Sequence, residues 1–188
     1  MTRLWLVRHG PTHARAMVGW TDLPADLSDT AALARLRAAL PEAPAVSSDL
    51  GRAIATADAL DRPRLPHDPA LREISFGAWE MRGFAEVEAE DPDTLRAYWD
   101  RPGDIAPPGG ESWNALSGRV DAAIDRLLAL GLPDLIVVAH FGPILRVVQR
   151  ARGQSARAAF AQKIDNLSLT EVRRGAEGWQ VGRVNHRA

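Results

Sequence analysis

Leu4-Trp5-Leu6-Val7 runs without a break into Arg8-His9-Gly10-Pro11, and far along the chain Leu135-Ile136-Val137-Val138-Ala139 runs in the same way into His140-Phe141-Gly142-Pro143. Short continuous apolar runs of this kind are expected of strands buried on both faces, as at the centre of a parallel sheet. The Gly and Pro that follow each run stop it in a turn. Each strand would then deliver one histidine to its own carboxyl end. In open α/β sheets, that edge is where ligands bind.

Outward from these two strands the pattern alternates. Thr30 to Leu40 is Ala/Leu/Arg-rich and predicts a helix, with Ser28 or Asp29 as its N-cap. Ala45 to Ser48 predicts a second strand, and Asp49 could cap a helix from Leu50 to Leu60 that carries Arg52 in its first turn. Met17 to Ser28 has no period and reads as loop, and Arg62 to Leu71 as a Pro-rich connector. Ser112 to Leu130 is a long amphipathic helix ended by Gly131 and Pro133. Further helices are expected from about Pro143 to Arg150 and over Ala156 to Gln162. Leu167 to Arg173 and Trp179 to Val184 read as an antiparallel hairpin at one edge. Strands alternating with helices predict a three-layer α/β/α sandwich with a mainly parallel sheet. Residues 1–188 read as one domain, with 72–113 as an insertion partly covering the active site. That segment holds Trp79, Phe84, Tyr98, Trp99 and Trp113, with short helices near 84–90 and 93–100.

Composition narrows the function classes. The formal net charge is -1, which argues against a nucleic-acid partner, since broad binding there needs a basic surface. All cations but Lys163 are arginine; base composition of the genome accounts for the total, but not for where particular arginines fall. There are no cysteines, so disulfides, thiolate chemistry and Cys-based zinc sites are excluded. No apolar run is long enough to span a membrane, and the N-terminal run is too short for a signal segment. A cytoplasmic protein without a membrane partner is expected.

The strand ends gather Arg8 and His9, then Ser47-Ser48-Asp49 with Arg52, and finally His140. Two guanidinium groups supply forked donors for a phosphate dianion. Helix N-termini add main-chain N–H groups. A neutral imidazole can attack phosphorus and split one displacement into two easier ones. The second imidazole, if protonated, can stabilise the equatorial oxygens. Because these cations are built in, neither metal nor cofactor is expected. A carboxylic acid must still protonate the leaving alcohol, and Glu73 and Glu80 are the candidates.

Arg8-His9-Gly10-Pro11-Thr12 resembles the Arg-His-Gly signature of the histidine phosphatase superfamily, the phosphoglycerate mutase-like proteins. Further matches follow in the family's order: Ser47-Ser48-Asp49-Leu50-Gly51-Arg52-Ala53 with Thr56-Ala57, Leu71-Arg72-Glu73 with Phe76-Gly77-Ala78-Trp79-Glu80, Pro108-Gly109-Gly110-Glu111-Ser112, Val138-Ala139-His140, and Asn166-Leu167-Ser168-Leu169. They cover residue 4 to about 184. The resemblance implies His9 as the phosphorylated nucleophile, with Arg8, Arg52 and His140 forming the phosphate pocket. It implies Glu73 as general acid and base, and a hydroxyl contact from Thr12. Glu80 falls to a structural role, with an exchange of roles with Glu73 left open.

Three positions depart from the family's pattern. Arg15 stands where many relatives carry Asn six residues after the nucleophile. Phe141 stands where Gly commonly follows the second histidine, so its ring could narrow the mouth or stack on substrate. Ser28-Asp29-Thr30 replaces a usual Gly by a local capping change.

The leading expectation is a phosphomonoesterase acting on a small phosphorylated metabolite, with α-ribazole phosphatase as a more specific version. A mutase of the phosphoglycerate type, a phosphohistidine protein phosphatase and a non-catalytic phospho-ligand binder are the alternatives. The short chain favours water as acceptor over a mutase, and the intact Arg8, His9, Arg52, Glu73 and His140 set argues against a mere binder. A salt bridge to Arg72 is the bland role for Glu73. His13, His67 and His186 carry no partner pattern. Trp20, Arg15 and Arg82 are further candidates for the substrate mouth.

Overall fold

The computed structural model describes residues 1–188. Strands β1 (Thr2–Arg8), β2 (Ala45–Ser47), β3 (Asp134–Ala139), β4 (Leu169–Gly175) and β5 (Gly178–Val181) form one sheet in the order β2-β3-β1-β4-β5. β2, β3 and β1 pair in parallel, β4 runs antiparallel to β1, and β5 antiparallel to β4. All strands but β4 therefore point the same way, while the pairings make the sheet mixed. The edge hairpin is present, starting at Leu169 and ending at Val181 rather than spanning 167–184.

Seven helices accompany the sheet: α1 (Thr30–Ala39), α2 (Gly51–Ala59), α3 (Phe84–Glu90), α4 (Pro92–Asp100), α5 (Trp113–Leu128), α6 (Phe141–Arg152) and α7 (Ala156–Phe160). The apolar runs alternate between two cores. Trp5, Val7, Ile136 and Val138 pack with Leu36 of α1 and Ala53 and Ala57 of α2. Leu4, Leu6, Leu135, Val137 and Ala139 face the other way, onto Leu116, Val120 and Ile124 of α5 and Ile144 of α6. Apolar partners on both faces are why these strands show no polar alternation. Each fully buried Leu, Ile or Val contributes about 1.5–3 kcal/mol.

Two helix starts differ from the expected ones. Asp49 does not cap α2: its carboxylate takes the Arg72 guanidinium, with Nε donating to Oδ1 at 2.7 Å. The first turn is served instead by Asp22, whose carboxylate accepts the Gly51 N–H at 2.9 Å. Helix α6 begins at Phe141, two residues earlier than expected, and continues to Arg152. Pro143 sits in its first turn, where a missing N–H leaves no helical bond unmade. At α1, Asp29 is the cap, accepting the Ala32 N–H at 2.9 Å.

Within residues 72–113, Trp79, Val87, Leu95, Tyr98 and Trp113 join the core beneath α5 and α6. Trp79 and Tyr98 meet edge to face at 5.6 Å, as do Trp113 and Phe160 at 4.8 Å. Trp79, Tyr98 and Trp113 of the Trp-rich stretch are thus core packing, with Trp99 partly buried against them and Phe84 exposed. No helix is long and apolar enough to cross a membrane.

Candidate active site

β1 and β3 lie side by side, with Arg8 opposite Ala139. His9 and His140 therefore emerge next to each other, one residue past the sheet. Their ring centroids are 4.9 Å apart, inclined at 55°. The His9 backbone is held from three directions. Its N–H donates to the Ala139 carbonyl at 3.1 Å, and Asn166 Nδ2 donates to its carbonyl at 2.8 Å. The following Gly10 N–H donates to Thr56 Oγ1 on α2 at 2.9 Å.

His9 Nδ1 lies 2.6 Å from the Gly10 carbonyl oxygen. A carbonyl only accepts, so Nδ1 carries the hydrogen and Nε2 keeps its lone pair. His9 is buried, and burial holds its pKa down to about 3; the Gly10 bond opposes this, and the nearby Arg52 and Arg8 charges reinforce it. The ring is neutral at ordinary pH, the state in which an imidazole can act as a nucleophile.

Arg52 is 1% exposed. Its Nη1 donates to the Thr21 carbonyl at 2.8 Å and its Nη2 to the Gly19 carbonyl at 2.5 Å. Those carbonyls are fixed by Glu80, whose carboxylate accepts N–H bonds from Gly19, Trp20, Thr21 and Phe76 and the Thr21 hydroxyl. Gly19 admits no side chain, since a Cβ there would lie 2.0 Å from the Ile74 carbonyl oxygen. Arg8 Nη1 donates to the Ile164 carbonyl at 2.6 Å, and its guanidinium lies 5.7 Å from the Phe141 ring.

Glu73 is buried, and Arg72 is not its partner, being paired with Asp49. Its Oε1 accepts the Ile74 and Gly142 N–H groups, both at 2.9 Å. Burial raises its pKa above the usual carboxylate range; those two bonds and the charges of Arg8 and Arg52 oppose the shift without cancelling it. The Glu73 carbonyl is pinned by Arg119 Nη2 at 2.7 Å and Trp20 Nε1 at 2.8 Å. Arg119 is itself paired with Glu111, which also accepts the Ser75 N–H.

Arg8, His9, Thr12, Arg52, Glu73 and Phe141 all line one cavity of about 250 Å³. His140 lies behind it, wholly buried, against His9 and Ser48. A larger hollow of about 410 Å³ beyond Pro11 is lined by His13, Asp26 and Arg35 and holds none of the expected pocket residues. Of the weaker candidates, Arg15 is exposed off the cavity, Arg82 pairs with Glu86 and Glu90, and Trp20 lies 5.0 Å under the Arg72 guanidinium. His67 sits near Ser47, and His186 bridges to Leu169. Arg119 had no signal in the sequence, because it acts on carbonyl groups brought to it by the fold.

Parallel strands ending in paired imidazoles, with two guanidinium groups and a buried carboxyl on the same cavity, define a class of α/β protein rather than a fold alone. The chain belongs to the histidine phosphatase superfamily (branch 1), whose family model matches residues 4–187. It is 32% identical over 173 residues to an adenosylcobalamin/α-ribazole phosphatase of Salmonella typhimurium, covering 87% of this chain and 86% of that one. It is 31% identical over 195 residues to a bifunctional protein of Mycobacterium tuberculosis, covering 94% of this chain but 51% of that protein, so the chain spans about half of that relative's length. The solved mycobacterial glucosyl-3-phosphoglycerate phosphatase superposes with a TM-score of 0.86 at 25% identity, covering 100% of both chains.

Proposed function

We propose that this chain is a phosphomonoesterase that hydrolyses a small phosphorylated metabolite through a phosphohistidine on His9. The reading is carried by one observation: the His9 and His140 rings stand 4.9 Å apart at a cavity that Arg8, Arg52 and Glu73 also line. The His9 Nε2 lone pair attacks phosphorus, and the bond from phosphorus to the leaving oxygen breaks. Arg8, Arg52 and His140 hold the phosphoryl oxygens, with Thr12 adding a hydroxyl. Glu73 gives its proton to the leaving alcohol; with Oε1 taken by two N–H groups, Oε2 is the oxygen that carries it. Water then attacks phosphorus and gives a proton to the Glu73 carboxylate. The P–N bond breaks, and phosphate and neutral His9 are restored. Glu80 serves the scaffold, its carboxylate being taken up by the Gly19–Thr21 loop.

Beside its polar groups the cavity is lined by the apolar side chains of Ala14, Ala16, Met17, Val18, Phe76 and Phe141. Such a wall suits a leaving alcohol with an apolar face better than a second anionic group. An α-ribazole-type ester is the first candidate, on the likeness to the Salmonella relative. Residues 72–113 cover the site in part, supplying Glu73 and Phe76 to the cavity. A cytoplasmic location belongs to the same proposal and is checked by fractionation.

Phosphate release from a panel of phosphorylated metabolites tests the reading. We expect turnover that vanadate inhibits, that a chelator leaves unchanged, and that His9→Ala abolishes. Isomerised ester without free phosphate, or turnover surviving in His9→Ala, would contradict it.

A further inference from the structure

His140 is the most deeply buried titratable ring beside the cavity, with no exposed surface. Its Nε2 lies 2.6 Å from Ser48 Oγ, and its Nδ1 is buried with no partner in the protein. Ser48 is equally buried. Besides His140, its hydroxyl oxygen has one further contact, the Leu50 N–H at 3.4 Å, which donates to it.

From this geometry we infer that Ser48 is a positioning residue that fixes His140 as the neutral tautomer with its hydrogen on Nδ1, so that His140 serves the phosphoryl group as a hydrogen-bond donor and not as a cation. Two arrangements are possible across the 2.6 Å contact. If Nε2–H donated to Ser48, the serine hydrogen would have no acceptor, since Leu50 offers only a donor. The unpartnered Nδ1 would then be a buried lone pair with no donor, in a ring packed 4.9 Å from that of His9. If Ser48 donates to Nε2, the hydroxyl is satisfied on both sides and Nδ1 carries a hydrogen. That N–H is then the one buried donor of the ring left for a ligand oxygen, and buried donors are rarely left unmade without a reason.

The charged groups around the ring favour the same state. Besides burial, the charges of Arg52, Arg8 and Arg119 and the neighbouring His9 all disfavour an imidazolium at this position. Two cationic guanidinium groups already face the cavity, so a neutral donor adds direction without adding charge repulsion. Ser48 follows directly on β2 and is tied to β3, its N–H donating to the Val138 carbonyl at 3.2 Å. Ser48 and His140 each stand one residue beyond paired strands, so the register of β2 on β3 brings the hydroxyl to the ring.

The role toward phosphate rests on the reading above, but the tautomer can be read without turnover. Nitrogen-15 imidazole spectra of the wild-type protein, with and without inorganic phosphate, decide it; loss of the signal in His140→Gln assigns the ring. We expect a protonated-type shift at Nδ1 and a lone-pair-type shift at Nε2 near neutral pH. In Ser48→Ala the two shifts should move toward averaged values, with phosphate affinity and kcat each falling about tenfold. Ser48→Thr, which keeps the hydroxyl, should restore the wild-type pattern. A wild-type His140 with its hydrogen on Nε2, or an imidazolium at neutral pH, overturns the inference whether or not the chain is active. An inactive chain showing the Nδ1–H form would instead sink the phosphatase reading and leave this one standing.

Discussion

Gly142 gives its main-chain N–H to Glu73 Oε1 at 2.9 Å, joining the first turn of α6 to a carboxyl 69 residues away in sequence. The approach is possible because Gly142 has no side chain; a Cβ there would lie 2.4 Å from that same oxygen. We predict that Gly142→Ala displaces the Glu73 carboxyl. An offset of about 1 Å should lower kcat on alkyl phosphates roughly a hundredfold. The overpacking should also lower stability by about 1–3 kcal/mol. Steady-state kinetics with urea unfolding checks both, and an unaltered kcat would show that Glu73 needs no such support.

Glu73→Gln keeps the shape and removes the transferable proton. It should depress turnover of alkyl esters about a hundredfold or more while sparing activated aryl phosphates, whose leaving groups need little protonation. In the parent protein, turnover of alkyl esters should fall as pH rises through the raised Glu73 pKa, and this limb should vanish with aryl esters. Equal losses on both ester types would remove Glu73 from the acid role.

Folding stability should respond to pH through His9. Folded His9 titrates at about 3 against an ordinary value of 6.5, so over that window the unfolded chain binds a proton that the folded one does not. Stability therefore falls as pH drops from 6.5 toward 3. Glu73 has the opposite sign: its raised folded pKa stabilises the fold below the ordinary 4.5, and this is lost as pH rises through the folded value. Urea midpoints at neutral and mildly acid pH should drop more steeply in the parent than in His9→Gln, and parallel slopes would contradict a neutral buried His9.

Glu80 acts at a distance from the reacting atoms. Removing it in Glu80→Ala frees the Gly19–Thr21 segment whose carbonyls position Arg52. We expect a stability loss of about 2 kcal/mol, the scale of charge-assisted bonds, and a raised KM with a smaller change in kcat. A fall in kcat alone would mean that Glu80 shares the acid's work.

The parts of this molecule that were legible in the sequence are those set by local pattern. The two apolar strands announced themselves because α1 and α2 cover one face and α5 and α6 the other. Arg8, His9 and Arg52 could be placed together because each stands at a strand end or in the first turn of a helix, whereas Glu73 lies in irregular chain after residues 69–71 and was legible through the need for an acid and the family resemblance. What failed was local capping at Asp49, because Arg72 from a distant segment competes for its carboxylate more strongly than a helix N-terminus does. The supports of the site were also hidden. Arg119, Trp20 and Asn166 donate to main-chain carbonyls, and carbonyls carry no residue signature. The wholly buried state of His140 was likewise invisible, since burial of a strand-end residue depends on what α6 and β2 bring over it.

Rapid quenching of a reaction with phosphoryl-labelled ester, followed by mass analysis of the protein, tests the phosphohistidine most directly. The account predicts one phosphoryl group per chain, acid-labile and alkali-stable, mapped to His9 and forming no more slowly than phosphate is released. Turnover at the full rate with an unlabelled protein, or with the label on any other side chain, would contradict it.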